Sequence, residues 1–473
     1  MGLRFGTDGI RGVANAELGA ELVMALGRAA ARALPAECFL VGRDTRRSGP
    51  LLQAALSAGM ASEGADVIDL GILPTPGVAF HAAERACPAA VVSASHNLFA
   101  DNGVKLFATG GLKLPDATEV AIEEELGRVL ERGRFLEDGA PESRSPVGHG
   151  VGRLWHEPDA APRYVDHLVG ALNGRDLTGM RVVVDCANGA AFDVAPLVLE
   201  RLGADVRAIA NRPDGANIND GCGSTHPELL SAEVVANGAD LGLALDGDAD
   251  RLLAVDHTGA LITGDELLSL FATDLAGRGG LAGNTVVVTV MTNLGFRLAM
   301  AAAGITVRET QVGDRYVLEA LNADGLTLGG EQSGHIVFRD LATTGDGVLT
   351  GVLLLDLIKR SGAPLAELAR ASMKRLPQVL ENVAAARPAD AVAAPAVQAE
   401  VAAVEAELGG RGRVLLRASG TEPLVRVMVE ADDAAVARAA ALRLCAVVET
   451  ALGPSAPPEP SVREKTRGRD VPA

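Results

Sequence analysis

The chain has 473 residues, 48% of them hydrophobic, too long for one core and apolar enough for several. Its formal net charge of −18 argues against nonspecific nucleic-acid binding, which needs basic surface to displace counterions; an anionic small substrate is compatible if cations gather locally. There is no run of about 18 uncharged apolar residues that would suggest a membrane span, and Met1–Arg11 reaches Arg4 and Asp8 without the apolar stretch of a signal peptide. The five cysteines (Cys38, Cys87, Cys186, Cys222 and Cys445) are scattered without CxxC spacing, so reduced thiols in a cytoplasmic protein are expected.

Along the chain one pattern recurs three times: an apolar strand-like run, a turn, a helical stretch and a second strand-like run. Phe39–Val41 leads into GRDTRRSGP and is answered by Gly64–Leu70. Arg181–Val184 leads into DCANGAA and is answered by Gly203–Ile209; Thr285–Val288 leads into TVMTNLG and is answered by Gly304–Thr310. Such alternation predicts parallel βαβ units, and three spaced copies predict three similar α/β domains rather than one large sheet. A fourth region differs. Asp390–Leu408 reads as one helix closed by Gly409 and Gly410, RVLLRASG and LVRVMVE as neighbouring strands, and Asp433–Leu452 as a last helix, together a smaller C-terminal α+β domain. The boundaries expected are 1–150, 151–253, 254–370 and 371–453. Gly133–His149 reads as a loop, and the Pro- and charge-rich residues 454–473 predict a disordered tail.

Four loops carry chemistry. VVSASHN, Val91–Asn97, runs from a short apolar strand into a turn that presents Ser95 where α/β sheets place ligands, with His96 and Lys105 close in sequence. Alone it reads as a serine-rich turn, and it lacks the GxSxG spacing of an esterase elbow. DGDADR, Asp246–Arg251, follows the apolar run Leu241–Leu245 and sets Asp246, Asp248 and Asp250 at every second position. Carboxylates so spaced repel one another unless a cation holds them, and oxygen donors alone favour magnesium, manganese or calcium over zinc. An EF-hand fails, because its sixth position is Arg251 and its twelfth His257; magnesium is the ion expected. GGEQSGH, Gly329–His335, offers Glu331 and Ser333 to sugar hydroxyls and His335 as acid or base. TTGDG, Thr343–Gly347, precedes a helix expected over Val348–Lys359. In RASGTEPLVR, Arg417 and Arg426 bracket Ser419, Gly420 and Thr421, whose hydroxyls and N–H groups suit an anion nest. Guanidinium forks match phosphate, and this is the local cation cluster that the net charge requires.

In this order and spacing the loops resemble the α-D-phosphohexomutase family over essentially all of residues 1–450. FGTDGIRG at Phe5–Gly12, GGEQSGH and TTGDG are similar to the branch acting on glucosamine phosphates. The branch acting on mannose and glucose phosphates, the nearest alternative, carries methionine where this chain has Gln332. The resemblance implies four domains around a central active-site cleft, each giving one loop. It implies a phosphorylated Ser95 that shares a Mg2+ ion with Asp246, Asp248 and Asp250. Glu331 and Ser333 would grip the sugar, while Arg417, Ser419, Gly420, Thr421 and Arg426 would hold the nonreacting phosphate. Arg11, His96, Lys105 and Arg251 match positions around the transferring phosphoryl group, and Lys105 and His335 are the candidates for proton transfer. The implied reaction interconverts glucosamine 6-phosphate and glucosamine 1-phosphate through a 1,6-bisphosphate, supplying UDP-N-acetylglucosamine and cell-wall synthesis. The implied partner is a small sugar phosphate, with neither nucleic acid nor membrane, and the implied assembly a monomer or homodimer. A non-catalytic sugar-phosphate binding protein is the alternative of another class; the intact serine, aspartates and arginines stand against it. One departure is Leu98, where the family's serine loop continues with proline, which predicts a looser loop.

Overall fold

Runs such as AAVV and LGLAL are apolar at every position, so neither face of the strand they form can stay in water. In the computed structural model, which describes residues 9–133, 146–419 and 423–451, both are buried along their whole length. They are inner strands of two sheets, and a third sheet repeats the arrangement. The first sheet places Asp101–Ala108, Ala89–Val92, Cys38–Arg43 and Asp66–Ile72 side by side. The second places Leu252–Asp256, Leu241–Leu245, Arg181–Asp185 and Asp205–Ile209, and the third Ile336–Phe338, Leu328–Gly330, Thr285–Thr289 and Thr306–Thr310. In all three the last three strands are parallel and the first runs antiparallel to its neighbour. Ile10–Val13, Leu154–His156 and Leu112–Lys113 extend the first sheet to seven strands, and Leu261–Ile262 extends the second to five.

The repeat read from the sequence is therefore one strand order used three times. Its antiparallel member has a consequence for the site. A parallel strand normally leaves its C-terminal edge through a helix, whereas here the chain reverses at that edge in a short loop. The three reversals are 93–100, 246–251 and 331–335, the serine, acidic and GGEQSGH loops.

The described residues divide into two compact units, the first running to Thr292 and again from Phe296 to Lys374, the second taking Asn293–Gly295 and the chain from Arg375 onward. In the first, one continuous core takes side chains from all three sheets, among them Val91, Leu243 and Val286, together with Tyr164 and Leu349 from helices. In the second, Gln378–Ala384, Leu424–Ala431 and Gly412–Ala418 form an antiparallel sheet with a core of its own, built on Val397, Val404, Val427 and Leu444. Two expectations change. The helix read over Asp390–Leu408 is two helices, Pro388–Ala393 and Pro395–Leu408, because proline drives the residue before it out of the helical region and Ala394 sits at ψ 131°. Nor are all five cysteines thiols. Cys38 and Cys87 are disulfide-bonded, and Cys186, Cys222 and Cys445 are free. The pairing follows from register: Leu40 lies opposite Ala89 on adjacent strands, which sets Cys38 beside Cys87 two residues earlier. The predicted tail, 454–473, and most of the Gly133–His149 loop lie outside the described residues.

Candidate active site

At the end of Ala89–Val92 the chain enters the serine loop, where Ser95 takes the left-handed conformation at φ 52°, uncommon without glycine. Ser93 Oγ donates to Asp44 Oδ2 at 2.6 Å and accepts the Ser95 N–H at 3.0 Å. Arg46, 1% exposed, pairs with Asp44 at 2.9 Å and donates to the carbonyls of Ser95, Asn97, Leu98 and Asp101. Asn219 Nδ2 donates to the carbonyls of Ser95 and Asn97 at 2.8 and 2.9 Å. The Leu98 side chain is exposed, yet its carbonyl is held, so the loop is anchored without proline.

The acidic loop lies against it: a Cβ on Gly247 would come 2.5 Å from the Ser95 carbonyl oxygen, so only glycine fits. Ser95 Oγ donates to Asp246 Oδ2 at 2.6 Å. Asp248 Oδ2 accepts from Thr75 Oγ1 at 2.6 Å and from Lys105 Nζ at 2.7 Å, and Lys105 Nζ also reaches Asp250 Oδ2 at 3.1 Å. One oxygen from each of the three buried carboxylates falls within 4.8 Å of the others. Asp248 Oδ1 and Asp250 Oδ1 are buried without a hydrogen-bond partner among the described residues. Converging oxygens, with no nitrogen or sulfur among them and two left unbonded, fit a metal ion. Burial, then the Asp250 and Asp248 charges, push the Asp246 carboxyl well above its ordinary range. Burial also opposes the Asp250 charge, but Lys105, His335 and Arg251 outweigh it and hold that carboxyl well below.

The third loop docks on the second through the Leu252 N–H, which donates to the Gly334 carbonyl at 3.0 Å. Glu331 Oε1 accepts the Gly313 N–H at 3.1 Å, and burial raises its pKa. Ser333 Oγ is buried with no hydrogen-bond partner among the described residues. His335, 2% exposed, sets Nδ1 3.9 Å from Asp250 and Nε2 3.8 Å from Asp314, while Nε2 accepts the Gly345 N–H at 3.1 Å. These carboxylates outweigh burial and raise the proton affinity of the ring. The Gly345 N–H still places the ring proton on Nδ1 unless that bond breaks. A cavity of about 160 Å³ opens between Arg251, Asp314, Glu331 and His335. A larger cleft of about 620 Å³, lined by Arg181, Asp240, His257 and Lys359, contains none of the residues expected at the site.

Burial, then the charges of Arg251 and Arg11, lower the pKa of His96, so both cations lie within electrostatic reach of that ring. Ser95, His96, Lys105, Arg11, Arg251, the three aspartates, Glu331, Ser333 and His335 thus meet in the first unit. In the second unit Arg417 and Arg426 are cross-strand partners, and burial followed by the Arg426 charge lowers the Arg417 pKa. The Ser419 N–H donates to the Leu424 carbonyl at 2.9 Å; Gly420 and Thr421 lie outside the described residues. Sequence reading missed Asp44, Arg46, Thr75 and Asn219, which act on the loops from distant segments. The only signal for Arg46 was GRDTRRSGP at the end of a parallel strand.

Three repeated α/β sheets that gather a serine, an aspartate triad and a Glu-x-Ser-x-His loop at their strand edges, with an arginine-bearing C-terminal domain, define a sugar-phosphate mutase fold. The chain belongs to the phosphoglucomutase/phosphomannomutase family. Sequence models of its alpha/beta/alpha domains I, II and III match residues 2–132, 162–259 and 263–376, and its C-terminal domain matches 380–447. Phosphoglucosamine mutase of Frankia alni is 54% identical over 461 residues, covering 95% of this chain and 98% of that protein. That of Thermobifida fusca is 52% identical over 456 residues, covering 95% and 98%. A solved phosphoglucomutase/phosphomannomutase family protein of Burkholderia thailandensis superposes with TM-score 0.77 at 26% identity, over 94% of this chain and 97% of that one. Aspergillus fumigatus N-acetylphosphoglucosamine mutase, in complex with GlcNAc-6P and magnesium, shares the fold with TM-score 0.69 at 20% identity, over 95% and 96%. Among the described residues no helix is long and apolar enough to cross a membrane.

Proposed function

We propose that this chain interconverts glucosamine 6-phosphate and glucosamine 1-phosphate, an intramolecular phosphotransfer through phosphorylated Ser95 in the cytoplasm. One observation carries the chemistry: the Ser95 hydroxyl, turned into the left-handed region, bonds Asp246 at 2.6 Å within a buried carboxylate triad. Phosphoglucosamine mutases 52–54% identical to the chain over at least 92% of its length support glucosamine as the sugar. The all-oxygen triad, and the magnesium bound by the Aspergillus protein, support Mg2+ held by Asp246, Asp248 and Asp250.

In the first half-reaction O1 of glucosamine 6-phosphate attacks the phosphorus on Ser95. The P–Oγ bond breaks with its electron pair on Oγ, and the proton of the sugar hydroxyl passes to Oγ, which restores the serine hydroxyl and leaves glucosamine 1,6-bisphosphate. In the second half Ser95 Oγ attacks the phosphorus on O6, the P–O6 bond breaks with its electron pair on O6, and the serine proton passes to O6, leaving glucosamine 1-phosphate and phosphorylated Ser95. Bound magnesium would offset charge on the transferring phosphoryl oxygens. Lys105 Nζ lies 2.7 Å from Asp248 and 3.1 Å from Asp250 in the same carboxylate cluster, and Arg11 and Arg251 add charge near His96. Lys105 and His335 are the candidates for moving the sugar proton, and Glu331 and Ser333 for holding sugar hydroxyls. We assign substrate phosphate to the Arg417 and Arg426 pair with Ser419, Gly420 and Thr421. The test compares kcat/KM for glucosamine 6-phosphate and mannose 6-phosphate on the phosphorylated protein. A preference of about 100-fold for glucosamine is expected, and parity overturns the sugar assignment. Ser95→Ala should lose both the added phosphate by intact mass and turnover; activity above a few per cent overturns the nucleophile.

A further inference from the structure

The TTGDG turn, Thr343–Gly347, is given no role in the reaction above, yet three consecutive amides in it reach His335, the strand that follows it and the acidic loop. The Gly345 N–H donates to His335 Nε2 at 3.1 Å, the Asp346 N–H to the Ile336 carbonyl at 3.4 Å, and the Gly347 N–H to the Ala249 carbonyl of the acidic loop at 2.9 Å. The fit leaves no slack: a Cβ on Gly345 would stand 2.5–2.6 Å from three atoms of the His335 ring. The Asp346 side chain pins the turn. Its Oδ1 accepts the Leu349 N–H at 2.9 Å, capping the helix Gly347–Ser361, and its Oδ2 accepts the Tyr164 hydroxyl at 2.7 Å. Tyr164 and Asp346 are 0% and 2% exposed. Burial pushes the Asp346 carboxyl up to about 6 even with those two bonds, so each partner it has matters.

We propose that Tyr164 and Asp346 are positioning residues for phosphoryl transfer, holding turn 345–347 so that one amide orients the His335 ring and another the acidic loop. Tyr164 lies on the helix Ala160–Gly170 and acts only through Asp346. The inference rests on the mutase reading for what His335 and the aspartates do. Its test uses full-length phosphorylated protein. Tyr164→Phe removes one hydroxyl and should lower kcat about tenfold with KM for glucosamine 6-phosphate changed less than about twofold. Gly345→Ala should cost about 100-fold, because it displaces the ring. Asp346→Asn keeps the capping oxygen but gives up the one that accepts the Tyr164 hydroxyl, so its kcat should fall about as far as that of Tyr164→Phe. Ring 15N spectra, assigned by the signals lost in His335→Gln, should show the Nδ1–H tautomer in the unaltered protein and a mixture in Tyr164→Phe. That readout needs no turnover, so it fails or holds independently of the mutase reading. Support requires both the kcat loss and the tautomer change in Tyr164→Phe. Either one without the other overturns the proposal, as does a protonated Nε2 in the unaltered protein should Tyr164→Phe not fold.

Discussion

Arg46 carries a full charge at 1% exposure, which is tolerable because every face of its guanidinium is bonded. Asp44 takes Nε, and four carbonyls of residues 95–101 take the two terminal nitrogens. Those of Ser95 and Asn97 share a second donor in Asn219 Nδ2, so Arg46 and Asn219 fix the serine loop together. Arg46→Leu should cost about 3–5 kcal/mol in chemical denaturation, because it leaves the buried Asp44 carboxylate without its cation. Arg46→Lys retains the charge but not the planar fork, so the fold should survive while kcat drops about tenfold or more. Leu98→Pro should leave kcat within about twofold, because the carbonyl that Arg46 grips is unaltered. Three arginines stand within five residues at Arg43, Arg46 and Arg47, and nothing local marks which is buried. The choice is made by carbonyls about fifty residues away, which is why the residue was illegible in sequence.

The acidic loop gives opposite signs to two neighbouring carboxylates. Asp246 is buried beside two like charges and its pKa is raised, so its ionised form costs stability at neutral pH, a cost relieved only as pH falls through the raised value. Asp250 is held low by Lys105, His335 and Arg251, so its charge stabilises the fold at neutral pH and that contribution is lost in acid. In metal-free protein at pH 7, Asp246→Asn should then raise Tm by roughly 2–4 °C and Asp250→Asn lower it by a similar amount. Added magnesium should raise the Tm of the unaltered protein and of neither variant. Scanning calorimetry reads all of these. The strand before each loop was legible, because a strand buried on both faces is apolar throughout. The antiparallel return strands were not, since Asp101–Ala108 mixes Asp101, Asn102 and Lys105 with apolar residues and has no helix before it. The break at Ala394 was missed for a different reason: alanine-rich composition outweighed a single proline in the reading, while in the folded chain the proline's geometry decides.

At the scale of the whole chain, the core of the first unit runs through three sheets, and the second unit rests on a smaller separate core. Native-state hydrogen exchange should find the strand amides of Gln378–Ala384 and Leu424–Ala431 sharing one opening free energy, lower than that of Ala89–Val92 and Leu241–Leu245. A common value across both units would contradict this. The sequence by itself determined the three βαβ repeats, the aspartate triad, the serine and the family, because each is written in contiguous residues with a fixed period or spacing. The tertiary structure decided what holds those loops: Arg46 and Asn219 on the serine turn, Thr75 on Asp248, and Tyr164 and Asp346 on the turn beneath His335. The bonds made by Arg46, Asn219, Thr75 and Tyr164 join residues 49 to 182 positions apart, and a hydrogen bond depends on a few ångströms in space rather than on distance along the chain.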